Sequence, residues 1–60
     1  MNYDHQLLRR KQVEEMTTLS RSTIYDLMKK GQFPKSIALA PKTIVWRKID
    51  IEQWIRERFE

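Results

Sequence analysis

Sixty residues with twelve Lys and Arg against eight Asp and Glu carry a net charge of +4 and a pI near 9.8, and are expected to make one small basic domain over 1–60. A chain this short buries only roughly 60% of the surface its unfolded form exposes, so its core must be small. With no cysteine and a single glycine it has no disulfide framework, thiolate-metal cluster or glycine-rich phosphate loop, and its longest apolar runs, such as Ile37-Ala38-Leu39-Ala40, fall far short of a membrane span.

The polar start, Met1 to Gln6, does not read as a signal peptide, and a cytoplasmic location is expected. Lone His5 has no second histidine or cysteine at ligand spacing and no nucleophile beside it, so no metal site is read there. A first helix is predicted over about Arg10 to Met16, with Val13 and Met16 inward and Leu8 beside its start. Thr17-Thr18-Leu19 breaks the pattern, and Ser20 can cap the next helix by accepting one of its unpaired amide protons. That second helix ends at Gly31, a natural left-handed cap, after Lys29 and Lys30, which complement the negative end of the helix dipole. Phe33-Pro34 then forces extended chain.

Residues 36 to 46 read as a hairpin: Ile37 and Leu39 alternate on one arm, Ile44 and Trp46 on the other, and Ala40-Pro41-Lys42-Thr43 makes the turn. A last helix is predicted over Ile49 to Phe59, with Asp50 and Glu52 in its first turn and Ile51, Trp54 and Ile55 as its inward stripe. The order is helix, tight turn, helix, hairpin, helix. The fold class is therefore α+β, mostly α: a small winged helix-turn-helix.

On the second helix, Ile24, Leu27 and Met28 fall on one side at about 100° per residue. Ser22, Asp26 and Lys29 fall opposite, Thr23 and Tyr25 lie on the flanks, and Arg21 sits in the first turn. Hydroxyls can donate or accept at base edges, and Arg and Lys reach guanine O6 and N7 or phosphate oxygens, so this face suits a DNA major groove. A polar face alone is common to surface helices, and Ser-Arg-Ser-Thr also serves as a plain capping sequence; the helix-turn-helix spacing favours the DNA reading. Asp26 is read as an i, i+4 partner of Lys30. Lys42 and Thr43 stand at the hairpin tip, and Lys42 and Arg47 are read as phosphate contacts, Lys35 and Lys48 as solvated. Trp46, Trp54 and Phe33 are read as core rather than base-stacking platforms, and Tyr25 as a packed ring whose hydroxyl reaches a phosphate.

Leu8-Arg9-Arg10-Lys11-Gln12-Val13, Leu19-Ser20-Arg21-Ser22-Thr23-Ile24-Tyr25, Gly31-Gln32-Phe33-Pro34-Lys35, Trp46 and Ile51-Glu52-Gln53-Trp54-Ile55 together resemble the AlpA family, small prophage-associated regulators akin to MerR-like winged helix-turn-helix proteins and phage excisionases. The resemblance runs from about Leu7 to Arg58 and implies a nucleoid-associated regulator of promoters on mobile elements, often of an integrase gene. It assigns recognition to Arg21, Ser22, Thr23 and Tyr25 and the wing contacts to residues around Lys42 and Arg47. Three positions depart from the family pattern. Thr18 replaces a usual glycine after the first helix, so a differently built turn is expected. Ala40-Pro41 stiffens a wing tip that commonly bears glycine, which argues against minor-groove insertion. Ile49 replaces a usual serine at the start of the last helix, at a cost of about 1 kcal/mol of capping.

The expected partner is double-stranded DNA, read by the helix over 20–30, with no cofactor, small-molecule ligand or membrane, and with integrase, RNA polymerase or further copies of the chain as protein partners left open. No dimerising coiled coil is expected. Two alternatives stand beside a promoter regulator: an excisionase-like directionality factor that bends DNA and recruits an integrase, and a protein-interaction module with a basic face. No catalytic constellation is present, and an enzyme is not expected.

Overall fold

The computed structural model describes residues 6–59, so His5 lies outside the described part. It contains β1 (Leu7–Leu8), α1 (Arg10–Thr17), α2 (Arg21–Lys29), β2 (Ile37–Ala40), β3 (Thr43–Arg47) and α3 (Lys48–Phe59). The expected order of helix, turn, helix, hairpin, helix is thus present, and the winged helix-turn-helix class holds. The addition is β1, which pairs antiparallel with β3 (Leu7 with Arg47, Leu8 with Trp46) and makes β3 the centre of a three-stranded sheet ordered β1-β3-β2.

One cluster of buried side chains joins every layer: Leu8, Val13, Ile24, Phe33, Trp46 and Ile51, with Met16, Leu27, Trp54 and Ile55 among those packed against it. Helices α1 and α3 pack on the central strand β3 and α2 packs on α1, each turning an apolar stripe into the one cluster, which is how so few residues close a core. The segment between α2 and β2 is tied into it by both tryptophans. The Trp46 indole N–H donates to the Pro34 carbonyl (3.0 Å) and the Trp54 indole N–H to the Gln32 carbonyl (2.9 Å). Phe33 sits between them, edge-on to Trp46 and tilted against Trp54, with centroids 6.4 and 4.9 Å away. The reading as core stands for Phe33 and Trp46, while Trp54 is half-buried and packs against that core.

The turn from α1 to α2 corrects the expectation drawn from Thr18. It is left-handed after all, with Thr18 at φ 60°, ψ 16°, and its N–H donates to the Glu14 carbonyl. A β-branched residue in this region is strained by roughly 1–2 kcal/mol. The compensation is Thr17, whose hydroxyl donates to the Val13 carbonyl (2.8 Å) and accepts from the Leu19 N–H (3.3 Å), pinning the chain on both sides of the strained residue.

The start of α3 also differs. The helix begins at Lys48, so Ile49 lies inside its first turn, not at the cap, and no serine cap is lost there. Arg47 instead closes that turn onto Asp50 through two hydrogen bonds.

In the wing, the strand pattern was read only in part. Ile37 pairs with Val45 and Ala38 with Ile44, then a bulge shifts the register so that Ala40 meets Thr43. Two-residue hairpin turns usually need positive φ, which among the described residues only Thr18 and Gly31 adopt. The bulge at Leu39 supplies the twist that the Pro41-Lys42 turn does not. Ile37 therefore lies on the sheet face opposite Trp46, and all four residues of β2 are exposed.

Candidate nucleic-acid interface

Helix α2 is held at both ends and along one side, which leaves a single defined surface outward. At its start the Ser20 hydroxyl accepts from the Thr23 N–H (3.3 Å), as expected, and is also 2.9 Å from the Thr23 hydroxyl and 3.4 Å from that of Ser22. At its end the Gly31 N–H bonds the Met28 carbonyl and the Gln32 N–H the Leu27 carbonyl, the two-bond closure that a left-handed residue permits, here Gly31 at φ 71°. Along its inner side Ile24 is fully buried, with Leu27 and Met28 beside it.

The outward surface divides into two arcs at about 100° per residue. One carries Arg21, Ser22, Tyr25 and Lys29, all exposed. The Arg21 guanidinium lies 5.7 Å from the Tyr25 ring centroid, and neither Arg21 nor Lys29 has an acidic partner among the described residues. The other arc carries Thr23, Asp26 and Lys30. Lys30 Nζ meets the Asp26 carboxylate at 3.0 Å, the pair expected from the sequence, so the helix's one acid is neutralised on the side away from Arg21. An exposed i, i+4 pair adds only about 0.3–0.5 kcal/mol to stability, and its weight here is electrostatic. The result is a positive arc beside a neutral one.

Of the eight expected site residues, five (Arg21, Ser22, Thr23, Tyr25, Lys29) are exposed on α2. Thr23, with its hydroxyl turned to the Ser20 cap, stands apart from the Arg21 arc. Lys42 is exposed in the hairpin turn, and Thr43 is half-buried at the start of β3. Arg47 is held otherwise than expected: its Nε and Nη2 donate to the two Asp50 carboxylate oxygens at 3.0 and 2.9 Å. Those hydrogen bonds, with the attraction of the carboxylate, push its pKa above the ordinary arginine value. A phosphate contact by Arg47 must be shared with Asp50. Two features of the exposed basic residues went unread in the sequence. The Arg21–Tyr25 stack had a signal, an Arg and an aromatic four residues apart on one helix. Exposed Arg9 and Lys11 beside the start of α1 also had one, the Arg9-Arg10-Lys11 run; the middle residue instead meets Glu14 at 3.4 Å.

The sequence over residues 6–59 matches the family model of the prophage CP4-57 regulatory protein (AlpA). The chain belongs to the AlpA family. It is 39% identical over 51 residues to the uncharacterized protein ORF88 of Enterobacteria phage P4, a match that covers 85% of this chain and 58% of that protein. This AlpA-family chain thus spans little more than half the length of that relative. The family is one of prophage regulatory proteins rather than of enzymes. Among the described residues of this member, no helix is long and apolar enough to cross a membrane.

Proposed function

We propose that this AlpA-family chain is a sequence-specific double-stranded DNA-binding protein that regulates transcription on a prophage or related mobile element. Helix α2 enters the major groove with the arc of Arg21, Ser22, Tyr25 and Lys29, α1 supports it, and Lys42 lets the wing follow the adjacent phosphate backbone. The observation that carries this reading is the unpaired positive arc on a helix fixed at its cap, its C-terminal closure and Ile24. A rigid helix with short hydroxyls, one aromatic and forked cations outward can meet base edges without first paying to order itself.

The test is selection of bound duplexes from random DNA, with wild type and Arg21→Ala run in parallel. A defined motif is expected, and Arg21→Ala is expected to relax it at one base pair by about 5- to 150-fold, the span of one bidentate contact. Binding governed by salt alone, with no enriched motif, would overturn the proposal.

A further inference from the structure

Arg21 occupies a place that helix stability does not explain. It is the first residue of α2, where the exposed amides make the dipole positive and a cation is disfavoured. No carboxylate among the described residues lies within ion-pair distance of it, and Asp26, the acid of the same helix, pairs with Lys30 on the opposite flank. What it does have is the ring of Tyr25, one turn along, with the guanidinium carbon 5.7 Å from the centroid. Tyr25 in turn is 38% exposed and lies outside the core cluster, and its hydroxyl makes no hydrogen bond among the described residues.

We infer that Tyr25 is a positioning residue for Arg21: its ring holds the guanidinium on the outer arc of α2, so that the forked N–H edge faces a guanine O6 and N7 in the major groove. This rests on the DNA-reading role proposed above and adds the base that is read and the residue that makes the reading sharp. An arginine on a free stem samples many rotamers and loses that freedom on binding, whereas one resting on an aromatic face has lost part of it beforehand. The planar guanidinium suits both tasks at once, stacking by its face and donating in parallel from its edge, which a lysine ammonium does not. The role differs from that expected of Tyr25 from the sequence, a hydroxyl on a phosphate: here the ring acts and the hydroxyl is dispensable.

The experiment measures binding of wild type, Arg21→Ala, Tyr25→Leu and Tyr25→Phe to a selected duplex, to its single-base variants and to unrelated duplex DNA. The wild-type motif is expected to contain one guanine whose preference disappears in Arg21→Ala. Tyr25→Leu, which keeps apolar bulk and helix propensity, should weaken that same preference by about two- to fivefold, a loss at the one guanine beyond any change in affinity for unrelated DNA. Tyr25→Phe, which keeps the ring, should retain the guanine preference. A guanine preference untouched by Tyr25→Leu overturns the positioning role, as does a uniform loss shared by Tyr25→Leu and Tyr25→Phe, which would place the tyrosine hydroxyl on the backbone. A wild-type motif that survives Arg21→Ala overturns this inference alone, leaving sequence-specific binding intact. Absence of any motif overturns both.

Discussion

Helix α2 and the wing are both exposed outcrops on one small core, yet they are held in different ways. Every end of α2 is tied: Ser20 caps its start, the Gly31 turn closes its finish, and Ile24 is sealed inside. The wing is fastened along β3 only. Val45 and Trp46 are buried, whereas β2 is an edge strand with all four residues exposed and a bulge in its pairing. A side chain on α2 is thus carried by a fixed frame, as selecting one base edge demands. A side chain on the wing tip is carried by a ribbon, which is sufficient for a phosphate, since charge acts without exact geometry. The difference separates a surface suited to reading from one suited to holding on.

That contrast can be broken most directly at Ile24. Ile24→Ala should cost about 2–5 kcal/mol, enough to unfold much of so small a domain, as read by thermal or urea denaturation. Next come the two ends of α2. Ser20→Ala and Gly31→Ala should each destabilise by about 1 kcal/mol, the first through a lost cap, the second through the left-handed φ of 71° alone, since an added Cβ would meet nothing within 4 Å. Thr18→Gly runs the other way and should stabilise by up to about 1 kcal/mol, because relief of strain outweighs the extra freedom glycine gives the unfolded chain. Should Thr18→Gly destabilise instead, Thr17 has removed the strain rather than restrained it.

On the wing the effects shrink. If four to six phosphates are neutralised, log K for DNA should fall with log salt at a slope of about −4 to −5, and Lys42→Ala should flatten that slope by about 0.9 without altering the selected motif. A motif changed by Lys42→Ala would mean that the wing reads as well as holds. The smallest effect is expected at Leu39, 58% exposed: Leu39→Thr should change stability by less than about 0.5 kcal/mol.

How much of this was legible in the sequence follows from the range of each interaction. The three helices and the Ser20 and Gly31 ends were readable because helix periodicity and capping are local, set by residues three or four apart. The Asp26–Lys30 pair was readable for the same reason. Strand β1 was not: two residues carry no periodicity, and Leu7–Leu8 is a strand only because β3, far along the chain, lies beside it. The wing register was half legible, since alternation of Ile37 with Leu39 assumes unbroken pairing and the bulge breaks it. At the candidate interface the exposed residues of α2 were found from the helical wheel. Two details were not: the capture of Arg47 by Asp50, which depended on where α3 begins, and the resting place of Arg21 on Tyr25, which is a matter of rotamers. Thr18 shows a further limit. A residue unsuited to a left-handed turn predicted another turn, but neighbouring hydrogen bonds can hold an unfavourable conformation that propensity alone would reject.

The two indole hydrogen bonds onto the segment from Gln32 to Pro34 also give the molecule a pair of optical channels. Trp46 and Trp54 both donate to that segment and both touch Phe33, so tryptophan emission reports whether it is docked. Neither indole belongs to α2, whereas Tyr25 does. Unfolding should therefore shift the tryptophan spectrum to the red, whereas duplex binding by α2 should leave that spectrum at its folded position, so one fluorimeter can tell loss of fold from loss of binding.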